Sequence, residues 1–261
     1  MATLITGAST GIGAEFARQF AARGDDLILV ARSADKLDAL AAQLRAAHGV
    51  DITVIAMDLA EPDAAAELVD RTTGLGLDVD VLVNNAGGGT HADVAEADPQ
   101  RLEREVELNC RTVVGTTARY LPLMRARGAG TIINLASTAA FLALPKMAVY
   151  GASKAFVLSF TEALWQEERK HGIRVLAVCP GMTATDFFAS AGEGAVSAAS
   201  LSDTLRVTRT PKQVVDTTMR ALASRKSSVV DGALNATVWR GLTRLVPRRA
   251  VLAVSGYLVE G

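Results

Sequence analysis

The sequence contains few of the residues that build metal sites and disulfide frameworks. Among its 261 residues there are two cysteines and three histidines. Cys110 and Cys179 are far apart and have no ligand-type neighbours, so they predict free thiols in a reducing compartment. His48, His91 and His171 lack the spacing of metal ligands, so we expect no metal site. These features favour a cytoplasmic protein without metal.

The chain also lacks an excess of charge and a long apolar run. Its formal net charge of -1 gives no general attraction to nucleic acids or anionic membranes. No charged leader with an apolar stretch opens the sequence, because a β-prone run begins at once. The uncharged stretch 128–145 includes Asn134, Ser137 and Pro145, which predicts a buried strand and a loop. We therefore expect no transmembrane segment, and one domain over residues 1–261.

Strand-like and helix-like segments alternate along the chain. Strands buried on both faces of a parallel sheet are almost entirely apolar, as are residues 27–30 and 175–178. The alternation predicts an α/β fold with helices on both faces of a doubly wound parallel sheet. Predicted strands cover 2–6, 26–31, 51–57, 79–83, 130–135, 173–178 and 227–231. Predicted helices cover 12–23, 34–47, 61–73, 99–126, 149–170 and 211–224.

A glycine-rich turn follows the first predicted strand. Gly7, Gly11 and Gly13 separate that strand from a helix whose apolar face includes Phe16 and Phe20. Glycine allows a sharp turn and a close backbone approach to a pyrophosphate. The helix N-terminus adds free N–H groups and the positive end of its dipole. The spacing is not the common G-x-G-x-x-G, but a strand before it and a helix after it favour a dinucleotide site over a plain turn.

Tyr150 and Lys154 are four residues apart in the predicted helix 149–170, and therefore lie on one face. A free tyrosine has a pKa of about 10, and a nearby ammonium group should lower it. Such a tyrosine can donate a proton to a carbonyl oxygen or accept one from an alcohol. Alone, the spacing is better explained by an ordinary amphipathic helix. Together with the glycine turn, it indicates an enzyme that moves a hydride and a proton.

Five motifs, taken in their order along the chain, resemble those of the short-chain dehydrogenase/reductases. The resemblance extends from residue 2 to about residue 232. The resemblance implies a Rossmann-like fold with a seven-stranded sheet, a nicotinamide cofactor, and oxidation or reduction at a carbonyl carbon. It also implies a catalytic tetrad in which Tyr150 exchanges the proton and Ser137 hydrogen-bonds the carbonyl oxygen. Lys154 would also hold the ribose, and Asn109 would anchor a water. The motifs are residues 6–13, Asp58, residues 84–87, the tetrad Asn109, Ser137, Tyr150 and Lys154, and residues 180–185.

The end of the second predicted strand bears on the choice of cofactor. Enzymes that use NAD usually have an acid there, whereas this chain has Ala31, Arg32 and Ser33. Arg32 can pair with a 2′-phosphate, which predicts NADP(H), although it could also be a solvated surface charge. The predicted cofactor-binding residues are Gly7, Ser9, Thr10, Gly11, Ile12, Gly13, Arg32, Ser33, Asp58, Leu59, Asn85, Ala86, Gly87, Tyr150, Lys154, Pro180, Gly181, Thr183 and Thr185.

Apolar residues follow the catalytic serine and the 180–185 turn. Phe141 and Leu144 would form one wall beside Ser137, and Phe187 and Phe188 would begin an opposing lid over 182–210. Such walls suit a lipophilic ketone. Packing of the loop onto the core has equal weight, and an ordinary loop over 189–204 is an alternative to the lid.

The remaining expectations concern the tail, assembly and activity. The basic extension 233–261 could lie on a membrane surface, but packing over the substrate side is favoured. Helices 99–126 and 149–170 are expected to form a homodimer, with a tetramer as the next choice. An NADPH-dependent carbonyl reductase explains all four tetrad groups. A non-catalytic NADP-binding redox sensor or regulator is the alternative, but it would not need them.

Overall fold

The computed structural model contains a seven-stranded parallel sheet. It describes residues 1–192 and 208–232, together with positions 236, 237 and 249. The strand order is β3-β2-β1-β4-β5-β6-β7, and each neighbouring pair is parallel. This confirms the predicted fold class. The strands are β1 Ala2–Thr6, β2 Asp26–Ala31, β3 Ile52–Ala56, β4 Val79–Asn84, β5 Gly130–Leu135, β6 Ile173–Cys179 and β7 Ser228–Val230.

Helices cover both faces of the sheet, with two departures from the predicted pattern. The helix predicted over 99–126 is divided by a π-helical segment, Glu107–Arg111, and the short helix α7 lies in the predicted lid, where no helix was predicted. A π-helical turn inside a helix is often found at a functional site. The α-helices are α1 Gly11–Ala21, α2 Ala34–His48, α3 Ala64–Gly74, α4 Pro99–Val106, α5 Thr112–Arg127, α6 Ala148–Glu168, α7 Phe187–Ala191 and α8 Pro211–Leu222.

Two apolar layers enclose the sheet. Successive residues of one strand point to opposite faces, so Leu4 joins one layer and Ile5 the other. Leu82 and Val83 of β4 divide in the same way, and all four side chains are fully buried. Burying each of these side chains contributes about 1.5–3 kcal/mol. Because both faces are covered, ligands can approach only the edges of the sheet.

The strand order reverses at β1, which has β2 on one side and β4 on the other. In open α/β sheets, ligands bind at such a switch point, beyond the carboxyl ends of the strands. The glycine turn follows β1 there, and Asn85 and Ser137 follow β4 and β5 at the same edge. This edge is therefore where the predicted motifs can meet.

Some predictions concern residues beyond those described. The predicted lid is described over 182–192 and 208–210, while 193–207 and nearly all of the extension 233–261 lie outside the described residues. The division into domain, lid and extension remains a prediction. In the described part of the chain, no helix is both long and apolar enough to cross a membrane. That same part holds no cluster of potential metal ligands.

Candidate active site

A cavity of about 460 Å³ opens at the carboxyl edge of the sheet. It collects residues that follow six strands, from the β1–α1 turn to the turn after β6. Of the predicted cofactor residues, all except Gly13 line it, and three of the predicted tetrad do so as well. These three are Ser137, Tyr150 and Lys154.

The glycine turn has the shape of a phosphate cradle. A Cβ at Gly13 would lie 2.1 Å from the carbonyl oxygen of Gly7, so Gly13 allows the turn to close rather than lining the cavity. Gly7 and Gly11 have φ angles of +65° and +56°, which favour glycine. Thr10 precedes α1 without a side-chain cap, which leaves the first N–H groups of the helix for an anion. The residues present therefore fit the pyrophosphate of a dinucleotide.

Two neighbouring asparagines have separate structural tasks. The Asn85 side chain donates hydrogen bonds to the carbonyl oxygens of Thr6 (2.9 Å) and Gly7 (3.1 Å), which fixes the glycine turn against β4. Asn84 is buried and donates to Oδ1 of Asn134 at 2.9 Å, which joins β4 to β5. The motif after β4 thus holds both the sheet and the cavity floor.

Exposed, positively charged side chains line the end of the cavity beyond β2. Arg32, Ser33 and Lys36 line it where β2 leads into α2. Sequence reasoning missed Lys36, which lies four residues after Arg32 in the first turn of α2. Asp58 also lines this end, but its Oδ2 accepts a hydrogen bond from Arg104 at 2.8 Å. The Asp58 carboxylate is therefore partly neutralised, and the region can accept an anion.

The predicted tetrad is assembled around the N-terminal part of α6. Lys154 Nζ donates to the carbonyl oxygen of Leu135 at 2.9 Å and lies 5.8 Å from the centre of the Tyr150 ring. Asn109 is fully buried in the π-helical segment, and its Nδ2 donates to Ser153 Oγ at 3.0 Å. Asn109 therefore anchors the helix turn that carries Lys154, outside the cavity itself.

Burial dominates the proton affinities of the two central groups. It raises the pKa of Tyr150 to about 12, although the Ser137 hydroxyl opposes that rise. Burial lowers the pKa of Lys154 to about 8. The expectation that the tyrosine pKa is lowered is therefore wrong, because burial of the phenol outweighs the hydrogen bond from Ser137. At neutral pH the tyrosine holds its proton and can act as an acid.

Apolar groups close the cavity beside the tyrosine. The Phe187 ring lies 5.2 Å from the Tyr150 ring, centre to centre. A Cβ at Gly89 would lie 2.9 Å from Phe187 Cζ, 3.2 Å from Met147 Cε and 3.4 Å from Tyr150 Cδ2. Gly89 thus leaves the space in which these three side chains meet. Sequence reasoning missed Gly89, although the glycine run 87–89 was a signal.

The other predicted substrate residues are less directly placed. Phe141 packs against the buried cluster that includes Val157, as the alternative of loop packing expected. Leu144 lies near Gly151. Neither Phe141 nor Leu144 is among the residues that line the cavity. The Phe188 side chain lies outside the described part of the chain. Their roles as substrate walls remain predictions.

The comparison with protein families agrees with this geometry. The family model described as short chain dehydrogenase matches residues 1–195. The chain belongs to the short-chain dehydrogenase/reductase family. It is thereby an oxidoreductase, of a family that uses nicotinamide dinucleotides.

Relatives of this dehydrogenase/reductase include enzymes named for ketone chemistry. A very-long-chain 3-oxoacyl-CoA reductase of Podospora anserina is 37% identical over 187 residues, which are 70% of this chain and 54% of that protein. The chain thus spans about half the length of this curated relative. A short-chain dehydrogenase of Sphingobium yanoikuyae, solved with NADPH, is 34% identical with a TM-score of 0.83, covering 94% of this chain and 92% of that one. A bulky-bulky ketone specific alcohol dehydrogenase of Comamonas testosteroni is 31% identical with a TM-score of 0.79, covering 94% and 91%.

Proposed function

We propose that this oxidoreductase is an NADPH-dependent carbonyl reductase that acts on lipophilic ketones. The observation that carries the proposal is the arrangement of one cavity. Tyr150, Ser137 and Lys154 line one end, while Arg32 and Lys36 line the other. A cofactor whose phosphates lie at the glycine turn would connect the two ends.

The side chains that line the cavity would each have a separate role in the reaction. NADPH, when bound, supplies the hydride. Tyr150 gives its phenolic proton to the carbonyl oxygen of the substrate, since its raised pKa keeps it protonated. Ser137 hydrogen-bonds the same oxygen, and the Lys154 ammonium stabilises the negative charge that develops on the tyrosine. Electrostatic interactions in this buried site are stronger than in water, because little solvent screens them.

The preference for NADPH over NADH rests on the charges beyond the second strand. Arg32 and Lys36 can both reach toward a 2′-phosphate from the start of α2, and Asp58 is engaged by Arg104. An arginine can bind a phosphate through two parallel hydrogen bonds. The NADPH-bound relative from Sphingobium supports the same choice.

The preference for a lipophilic ketone rests on the end of the cavity near Tyr150. The Phe187 ring lines the cavity there, and Met147 and Gly89 lie beside that ring. Burial contributes about 25 cal/mol per Å² of apolar area, so long or cyclic ketones should gain more than sugars. Relatives named for 3-oxoacyl-CoA and for bulky ketones support this class.

The proposal is tested by following the consumption of NADPH with a series of ketones. The series should include straight-chain ketones of increasing length, cyclic ketones and sugars, each with NADPH and with NADH. We expect kcat/KM to rise with apolar size and to be higher with NADPH. Flat or falling efficiency along the series would refute the substrate class, and equal efficiency with both cofactors would refute the cofactor. A regulator without turnover is disfavoured, because the tetrad groups converge.

We also propose a homodimer in the cytoplasm, with a tetramer as the second choice. Val106, Leu123 and Phe156 are between 42% and 45% exposed on α4, α5 and α6, the helices expected to pair. Exposed apolar side chains on those helices support an interface. Neither Cys110 nor Cys179 forms a disulfide, which supports a reducing compartment. Sedimentation at micromolar concentration tests the dimer, and a monomer would refute it. Fractionation of the source cells tests the compartment.

A further inference from the structure

Glu105 is a buried acid that the proposed reaction does not use. It lies near the end of α4, four residues before Asn109, and only 5% of it is exposed. No hydrogen bond of ordinary geometry reaches either carboxylate oxygen from the described residues, although Thr90 lies close enough to favour the ionised form. An ionised carboxylate in such a place costs several kcal/mol unless other charges compensate it. Glu105 therefore calls for a physical explanation.

Charged and titratable groups surround Glu105 from several elements. Burial raises its pKa, and Thr90 together with the positive charges of Arg101 and Lys154 opposes that rise. In return, the Glu105 charge acts to raise the pKa values of Lys154 and Tyr150. The other groups that face this cluster are Cys110, beside Glu105 and Lys154, and Cys179, beside Lys154.

The structure also connects Glu105 to Lys154 through Asn109. One turn after Glu105, Asn109 Nδ2 donates to Ser153 Oγ at 3.0 Å, in the residue before Lys154. A Cβ at Gly87 would lie 3.1 Å from Asn109 Oδ1 and 3.3 Å from Lys154 Nζ, so these two atoms share one small space. The helix that carries Glu105 therefore leads directly to the surroundings of the ammonium group.

We propose that Glu105 is a positioning residue that acts through Lys154, because its carboxylate balances the buried ammonium charge and keeps Lys154 protonated. This inference rests on the proposed reductase function. Arg101 supports the arrangement from the preceding turn of α4, where its Nε donates to the Thr90 hydroxyl at 3.2 Å. In this arrangement Glu105 would keep the lysine charged both for the cofactor ribose and for Tyr150.

The test compares Glu105→Gln with wild type and with a matched control, Glu103→Gln. Glu103 is an exposed acid on the same helix, so the control removes the same charge outside the site. The affinity for NADPH is measured by fluorescence from pH 6 to 10, and ketone reduction is measured over the same range. In Glu105→Gln, the alkaline loss of affinity should move down by about one pH unit, since an opposite charge nearby shifts a pKa by about 1–3.

Each outcome decides the proposal. An unchanged pH profile in Glu105→Gln, with or without a loss of stability, overturns it and leaves the reductase function standing. A wild-type protein that neither binds NADPH nor reduces any ketone refutes the proposed function instead. If Glu105→Gln fails to fold, the side-chain carboxyl carbon of Glu105 is titrated by NMR in the wild-type protein. An ionised carboxylate at pH 7 supports the inference, and a carboxyl group that stays protonated through pH 8 overturns it.

Discussion

Replacing Tyr150 by Phe removes one hydroxyl group from the proposed site and preserves the ring. The ring contacts Phe187 at 5.2 Å and lies 5.8 Å from Lys154 Nζ, and both contacts survive the change. A positioned general acid contributes about 100- to 10,000-fold to the rate, or about 2.7–5.5 kcal/mol of transition-state stabilisation. We expect turnover to fall by that factor, while the NADPH dissociation constant changes by less than about threefold, because the lysine and the glycine turn are intact.

Tyr120→Phe is the matched control for this prediction. Tyr120 is 2% exposed, burial raises its pKa to about 12, and its hydroxyl lies 2.8 Å from Thr72 Oγ1. It is not among the residues that line the cavity. Losing that hydrogen bond should reduce the free energy of unfolding by about 0.5–1.5 kcal/mol and leave turnover unchanged. Turnover is followed by NADPH consumption, and unfolding by denaturant titration. A loss of less than tenfold in folded Tyr150→Phe would refute the assignment of the acid.

Three further predictions address the cofactor, the lysine and the substrate end. Arg32→Ala and Lys36→Ala should each weaken NADPH binding by about tenfold and leave NADH binding unchanged, since each removes a charge-assisted contact to the 2′-phosphate; equal losses for both cofactors would contradict this. The wild-type affinity for NADPH should be highest below pH 7 and fall about tenfold per pH unit above pH 8, because the Lys154 ammonium, with its pKa of about 8, loses its proton there. In Lys154→Arg, this alkaline loss of affinity should be absent up to pH 10. Gly89→Ala should reduce kcat/KM for bulky ketones by about tenfold or more, because its Cβ would lie 2.9 Å from Phe187 Cζ and displace the ring; an unchanged value would show that the ring moves freely.

The sheet and the cofactor end could be read closely from the sequence because each depends on local patterns. The strands are short apolar runs separated by helices, and a parallel sheet buried on both faces allows few other patterns. The glycine turn is equally local, since the close approach of Gly13 to the Gly7 carbonyl is a property of one turn. Lys36 was missed because nothing in a single helix shows which of its exposed charges faces a cavity.

The interruption of the helix predicted over 99–126 could not be read from local patterns. The residues of Glu107–Arg111 are compatible with a continuous α-helix, and no glycine or proline marks a break. The π-helical segment is defined by tertiary contacts instead. Asn109 is buried there and its amide bonds both Gly88 and Ser153, so the widened turn places one side chain between two elements distant in sequence.

The pKa values of Tyr150 and Lys154 could not be predicted from the sequence either. Sequence spacing correctly placed Lys154 one turn from Tyr150, but spacing carries no information on solvent. Burial raises one pKa to about 12 and lowers the other to about 8, so both groups disfavour their charged forms. A tyrosine of this kind is a ready acid for reduction but a reluctant base for oxidation. The charge of Glu105 acts on both groups, since it favours the ammonium form of Lys154 and disfavours the ionised form of Tyr150. The electrostatics of the pair thus depend on a residue that no motif includes.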